Sequence, residues 1–289
     1  MENLIIVLNY NDYETTVKFI KNISKYREVE KVIVVDNCST DDSYIKLLNF
    51  INDKIDVIKT NKNGGYGSGN NFGIRYALEK YNPRFITISN PDINFESSIL
   101  TTMITVLKND EDLAAANVRI KNIDGFEEKS GWIIPSFKED LKEMFLISKK
   151  FNLQRKYELE KEERITFNEV LNGCFFVIKA DVIKKIDFFD ERTFLFGEER
   201  ILGFKIKKIG MKQGTINDHE CIHEHSKSIN KNIKSVVKKY EILYESREIF
   251  YKYYLKIGSK KLKVFKAIKA LSLLEKRIIF YLKSKIKNI

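Results

Sequence analysis

Cysteine, histidine and proline are scarce in this 289-residue chain, with three of each, and there is a single tryptophan. Cys38, Cys174 and Cys221 are odd in number and widely spaced, so they form no disulfide framework and fit a reducing compartment. So few prolines beside 13 glycines leave no low-complexity linker. No internal repeat is visible. No apolar stretch approaches the roughly 20 residues of a membrane-spanning helix. The opening MENLIIVLNYND has no basic segment and only a short apolar run, which reads as a strand and not as a signal peptide. The expected location is the cytoplasm or the inner face of the cell membrane.

Hydrophobic residues make up 43% and charged residues 31%, ordinary for a folded protein. The length suits one large α/β domain with an appendage. The net charge of +11 is uneven. From Ser226 onward there are 18 Lys and Arg against 4 Asp and Glu, a net +14, which leaves −3 for the rest. A nearly neutral body therefore carries a basic tail, and such a tail seeks anionic surfaces.

The first half alternates strand and helix patterns. Leu4–Leu8, Lys31–Asp36, Asp56–Thr60 and Phe85–Ser89 are apolar runs of the kind buried parallel strands give. Asp12 is placed to cap a helix reaching about Lys25, and Ser39 or Thr40 one over Asp41–Ile51. A further helix is expected over Asn70–Lys80. This order implies a parallel sheet whose ligand lies at the carboxyl ends of the strands. Beyond it, Glu96–Lys108 and Glu199–Ile209 read as helices, and Ala114–Ile120 and Cys174–Lys179 as strands. Ile120–Arg164 gives no clear pattern, and everything from Asn232 onward reads as helical.

The four strand ends carry the chemistry. The first closes in Asn9-Tyr10-Asn11 and the second in VVDNCSTDDS, with Asp36, Asn37 and Ser39. The third runs into NKNGGYGSGNN, with Gly64, Gly65, Gly67 and Gly69, and the fourth into ISNPDI, with Asn90 and Asp92. Carboxylates suit ribose hydroxyls and hard cations. Glycines let backbone N–H groups approach a phosphate. Each run alone is an ordinary turn or cap, but turns have no reason to gather polar residues at one sheet edge. The economical ligand is a nucleoside diphosphate with a divalent cation. A dinucleotide fold would need G-x-G-x-x-G after the first strand, where no glycine stands, and no Walker lysine motif is present.

The succession VLNYND, VVDNCSTDDS, NKNGGYGSGNNFGI, ISNPDI, LNGCFFVI and FFDERTFLFGEE, spanning Leu4 to Ser228, resembles family 2 inverting glycosyltransferases of the rhamnosyltransferase-like branch. The resemblance implies a GT-A domain over 1–228, with a mixed and mainly parallel sheet, and a basic helical extension over 229–289. It implies that Asn9, Asn11, Asp36, Asn37, Asn63, Gly65, Gly67, Asn70 and Asn90 line the nucleotide-sugar site, with Asp36 near base and ribose. Asn172 and Gly173 then flank the sugar or acceptor. Asp92, in a shortened Asp-x-Asp position, and His223 face Mg2+ or Mn2+, with His225 as the alternative histidine. Glu199 stands where the family has its catalytic Asp, preceded by Glu198, and a carboxylate there takes the acceptor's proton. Ile201 and Lys205 depart from the family's usual Asp and Arg.

The same resemblance points to a nucleoside diphosphate sugar donor, dTDP-rhamnose first and a UDP-hexose or UDP-galactofuranose next. The implied acceptor is a glycan or lipid-linked saccharide in cell-surface polysaccharide synthesis. A sugar-nucleotide-binding subunit without catalysis and a peripheral membrane scaffold are the rival readings. A zinc cluster in DHECIHEHS is disfavoured by its spacing. In the tail, Val264, Ile268, Leu271, Leu274, Ile278 and Tyr281 repeat as one helix face among lysines, which fits either packing on the domain or contact with anionic lipid. Nucleic acid is not an expected partner.

Overall fold

The apolar runs form four neighbouring strands of one mixed ten-stranded sheet in the computed structural model, which describes residues 1–146, 163–224 and 235–286. The first half contains β1 (Asn3–Asn9), α1 (Tyr13–Ile23), β2 (Lys31–Asp36), α2 (Ser43–Leu47), β3 (Ile55–Lys59), α3 (Tyr66–Lys80) and β4 (Phe85–Ser89). Then follow β5 (Ile93–Asn94), α4 (Ser97–Asn109), β6 (Leu113–Asn122), β7 (Glu127–Glu128), β8 (Gly131–Trp132) and α5 (Phe137–Glu143). The remainder is β9 (Ile165–Asn168), β10 (Val170–Leu171), β11 (Phe175–Lys179), α6 (Ala180–Lys185), α7 (Glu198–Lys208), β12 (Lys212–His223), α8 (Val236–Ile249) and α9 (Ser259–Ile286).

The strand order is β3-β2-β1-β4-β11-β6-β12-β5, with β7 beside β6 and β9 beside β12. The first four strands are parallel, β11 is antiparallel to both of its neighbours, and β6 and β12 are parallel. Both sheet faces are covered. Ile5, Val7, Val32 and Val34 pack in one core with residues of α1 and α4, while Leu4, Ile6, Ile33 and Val35 share the other with Ile74, Leu202 and Ile206. Burial on both faces is why these strands read as unbroken apolar runs.

Several local expectations are corrected. Asp12 precedes α1 but its side chain makes no cap bond; it accepts from Thr15 Oγ1 at 2.9 Å instead. Ser39 and Thr40 do not cap α2, which starts later, at Ser43. Ser39 is held by the strand ends, its N–H donating to Asp36 Oδ1 and its hydroxyl accepting from Asn9 and Asn11. Helix α3 starts at Tyr66, four residues before the expected start, so Gly67 and Gly69 lie inside it. The C-terminal pattern is not continuous: a π-helical turn, Phe250–Tyr254, and residues 255–258 separate α8 from α9.

The C-terminal helices build a third core. Met144, Tyr244, Phe250, Tyr251, Phe265 and Leu273 enclose Ile201 of α7. Under this layer, fully buried Asp140 pairs with Arg200 at 2.5 Å and Arg247 at 2.9 Å, and accepts from the Tyr251 hydroxyl. Burial works against the Asp140 charge, but the two guanidinium groups prevail and hold its carboxyl below the usual aspartate value. Helix α5, which carries Asp140, opens on a capping box made by Ser136 and Glu139. Of the tail positions expected on one face, Ile268 packs against the third core, whereas Val264, Leu271, Leu274, Ile278 and Tyr281 are 50 to 62% exposed. The inward face of α9 instead carries Phe265, Ser272 and Lys276, and the Ser272 hydroxyl and Lys276 ammonium both donate to the Met144 carbonyl.

Removing Asp140 strands two buried guanidinium groups. Asp140→Ala is expected to cost about 3–5 kcal/mol of stability, read from the urea midpoint at pH 7. Because the folded-state pKa is depressed, this contribution is complete above the unfolded-state value and fades as pH falls through the folded-state one. A loss below about 1 kcal/mol at pH 7 would show that the cluster is not structural.

Candidate active site

The ends of β1, β2 and β3 are locked together by side chains. Asp36 is fully buried, and its two carboxylate oxygens accept from Asn9 Nδ2 at 2.9 Å and Ser39 N at 2.9 Å. Asn11 Oδ1 accepts from Thr40 N, and Asn11 itself adopts a left-handed backbone, φ 52°. Asn37 Nδ2 reaches both Asn63 Oδ1 and the Gly65 carbonyl, at 3.0 and 3.1 Å. Asn63 Oδ1 also takes the Gly65 N–H. The structure therefore gathers Asn9, Asn11, Asp36, Asn37, Asn63 and Gly65 into one network. Asn70 lies just behind, its Nδ2 donating to the Tyr66 carbonyl.

Gly65 sits at φ 91°, and a Cβ there would fall 2.1 Å from the Phe194 carbonyl oxygen. Only glycine fits both demands. This contact joins the 60s loop to the segment leading into α7, reinforced by Tyr66 N–H donating to the Phe194 carbonyl at 2.9 Å. Gly67 approaches Phe189 in the same junction.

A second group forms where β4 and β12 end. Asp92 is buried, and its Oδ1 faces His223 Nε2 at 3.5 Å. The other ring nitrogen, Nδ1, lies 3.3 Å from Glu128 Oε2. Burial works against a charged ring, but Asp92 and Glu128 outweigh it and raise the His223 pKa above the ordinary histidine value. The Glu224 N–H bonds the Asp92 carbonyl and ties the two strand ends. Among the described residues no three His, Cys, Asp or Glu side chains converge as a complete metal cage. A carboxylate and an imidazole opposed at this spacing nonetheless suit a small divalent ion whose remaining ligands come from substrate phosphates and water. His219 is held apart by Asp218 and Thr102. His225 lies outside the described residues.

A third group centres on the β10–β11 turn. Asn90 N–H donates to the Cys174 carbonyl at 2.7 Å, which joins this turn to the end of β4. Asn172 Oδ1 accepts the Cys174 N–H and Asn172 Nδ2 donates to the Lys129 carbonyl. The Tyr66 hydroxyl donates to the Gly173 carbonyl at 2.6 Å. A Cβ on Gly173 would lie 2.9 Å from Glu199 Cγ, so Gly173 and the proposed base are in contact.

Glu198 and Glu199 open α7 after two consecutive left-handed residues, Phe196 at φ 65° and Gly197 at φ 96°. That turn is uncommon for a bulky residue and costs strain. The two carboxyls differ in surroundings. Glu198 is 3% exposed, and burial followed by the Glu199 charge pushes its carboxyl well above the usual glutamate value. Burial also raises Glu199, but backbone N–H groups, Gly197 among them at 3.0 Å, and the Arg200 charge pull against it. Glu199 further borders a cavity of about 230 Å³ with Trp132, Phe196, Arg200, Ser246 and Arg247.

Tyr66, Glu128 and Trp132 were not legible as site residues. Glu128 and Trp132 belong to a polar segment without periodicity, and only the sheet register brings them in. Ile201 and Lys205, where the sequence departs from the resemblance, have local explanations. Ile201 is fully buried in the third core, and Lys205 Nζ donates to the Asp187 and Phe188 carbonyls at 3.1 and 2.9 Å.

Residues 4–186 match the model of Glycosyl transferase family 2. The chain is similar to the low-salt glycan biosynthesis hexosyltransferase Agl10 of Haloferax volcanii, 26% identical over 221 residues, spanning 76% of this chain and just 66% of that protein. The fold resembles the mannosyltransferase PcManGT of Pyrobaculum calidifontis, solved with GDP-Man and Mn2+, at a TM-score of 0.58 and 14% identity over 94% of this chain and 69% of the other. It also resembles S. aureus TarS 1-349, at 0.54 and 15% identity over 94% of this chain and 81% of the other. At such identities the structural likeness shows the fold alone, a GT-A fold. With the family model covering more than half of its length, this chain belongs to glycosyl transferase family 2.

Proposed function

We propose that this enzyme transfers a hexose from a nucleoside diphosphate sugar to a hydroxyl of a glycan or lipid-linked saccharide, inverting the anomeric carbon. The observation that carries this reading is the contact of Glu199 with Gly173. It sets a carboxylate beside a turn hydrogen-bonded to the β4 end, two residues from Asp92. The locked ends of β1, β2 and β3 would seat the nucleotide. Asp92 and His223 would hold Mg2+ or Mn2+. When bound, the cation supplies positive charge that stabilises the departing diphosphate. Solved relatives in fold carry GDP-Man with Mn2+, or UDP. Donors to test here are dTDP-rhamnose, UDP-hexoses and UDP-galactofuranose.

In this reading the acceptor enters the cavity beside Glu199. Glu199 takes the proton as the acceptor oxygen bonds to the anomeric carbon, and the carbon–oxygen bond to the diphosphate breaks with its electron pair leaving on the diphosphate. A carboxyl raised toward neutrality is a stronger base than an ordinary one. Glu198 is enclosed, with burial and the Glu199 charge pushing its carboxyl well above the usual glutamate value, so the role of base is assigned to Glu199. Activity needs the ionised form of Glu199, so it should rise with pH through a pKa above the usual glutamate value.

The tail supplies a second element of the proposal. None of the described helices is long and apolar enough to cross a membrane. The exposed row Val264, Leu271, Leu274, Ile278 and Tyr281 on α9, within a segment of net charge +14, suits the surface of an anionic bilayer. A lipid-linked acceptor would meet the enzyme there.

Two outcomes are expected. In single-turnover transfer at saturating donor, metal and acceptor, Glu199→Gln should lower the rate roughly 100-fold or more with donor binding nearly intact. Glu198→Gln should affect the chemical step less. Full transfer by Glu199→Gln would place the base elsewhere or leave only a binding role. In vesicle sedimentation, the wild type should bind anionic vesicles at low salt, and Leu271→Glu with Ile278→Glu should release it without changing nucleotide affinity. Equal binding by the double variant, or none by the wild type, would remove the bilayer from the account.

A further inference from the structure

Strand β7 is only two residues long, Glu127–Glu128, yet several independent contacts fix it. Its register sets Glu128 opposite Ile120 of β6, and Ile120 opposite Cys221 of β12, two residues before His223. Two-residue periodicity puts Cys221 and His223 on one strand face. The hairpin leading to β7 is closed by Asn122, whose Oδ1 accepts the Asp124 and Phe126 N–H groups, and by Gly125 at φ 82°. The chain after Glu128 is tied as firmly. The Lys129 carbonyl accepts from Asn172 Nδ2, and the Ser130 carbonyl from Asn117 Nδ2 at 2.7 Å and the Asn172 N–H at 2.9 Å. Glu127 pairs separately with Arg119 at 3.1 Å.

Glu128 is thus delivered to His223 Nδ1 by backbone held on both sides, with Oε2 at 3.3 Å. Both side chains are largely shielded from water, 23% and 14% exposed, which strengthens a hydrogen bond between them. The two ring nitrogens point apart, so Glu128 and Asp92 address opposite edges of the imidazole. Glu128 therefore cannot share an ion with Nε2.

We propose that Glu128 is a positioning residue: it accepts the Nδ1–H of His223, and so fixes the ring's tautomer and turns the Nε2 lone pair toward Asp92. A histidine whose second nitrogen is held in this way is a better and better-aimed ligand. The inference rests on the reading that Asp92 and His223 hold the divalent cation, but its first test does not.

That test uses ¹⁵N-histidine NMR of the full-length, metal-free protein with neutral rings. The chain has three histidines, and His223→Ala identifies the signal. In the wild type His223 should be the Nδ1–H tautomer. Glu128→Gln, whose carbonyl oxygen still accepts, should keep that form, and Glu128→Ala should shift the ring toward Nε2–H. Mn2+ alone, titrated by the loss of its free electron-spin signal, provides the second readout. Glu128→Ala should weaken Mn2+ binding about 10–100-fold, Glu128→Gln should restore most of it, and His219→Ala should change nothing. An unchanged His223 tautomer in Glu128→Ala would overturn the proposal. So would wild-type Mn2+ affinity in that variant when His223→Ala has lost it. If Asp92→Asn and His223→Ala both bind Mn2+ normally, the cation reading fails, while the NMR comparison still decides the role of Glu128.

Discussion

One buried carboxylate ties α5, α7 and α8 together. Asp140 is fully enclosed, and its partners come from α7, from α8 and from the turn that follows it. Arg200 is the residue after Glu199, so the orientation of the proposed base depends on this cluster. An isolated charge in such a place would be expelled or neutralised. Two guanidinium groups and a phenol make it tolerable, and the aromatic core formed by Tyr244, Phe250, Tyr251 and Phe265 keeps water out. Helices α8 and α9 are thereby part of the scaffold around Glu199. The same arrangement explains Ile201: it points into that aromatic core, where a carboxylate would have no partner to offset its burial.

The other half of the site is organised by side-chain amides, which hydrogen-bond to one another, to the backbone and to the Asp36 carboxylate. Asparagine recurs at the strand ends because one side chain offers both a donor and an acceptor. Asn9, Asn37, Asn63 and Asn172 each bridge two segments that are remote in sequence. Polar groups fixed in this way reorganise little when charge develops, which is how a pre-set site stabilises a leaving diphosphate. The left-handed Phe196-Gly197 pair shows the cost: strain is stored where α7 must begin so that Glu199 meets Gly173.

How far the sequence could be read depends on how local each cause was. The four parallel strands of the first half were legible because burial leaves apolar runs, and Phe85–Ser89 came out with its observed bounds. The polar strand ends were legible for the same reason, since parallel topology carries them to one edge. Helix caps were not, because Ser39 has a stronger claim on it from Asp36 and Asn9 than from the following helix. Strands β7 and β8 have two residues each, and no periodicity exists at that length. Their pairing, and with it Glu128 and Trp132, is a property of the assembled sheet. The apolar stripe of α9 was visible, but which part of it faces the core depends on Met144 and Ile201, far away in the chain.

The proposed mechanism requires a nucleoside diphosphate to bind at the sheet edge through a cation on Asp92. Thermal unfolding with UDP, GDP and dTDP, each with and without Mn2+, tests it most directly. At least one nucleotide should raise Tm more with Mn2+ than without, and Asp92→Asn should lose that increment while keeping the metal-independent part. Equal stabilisation with and without Mn2+ in the wild type, or a full increment in Asp92→Asn, would contradict it.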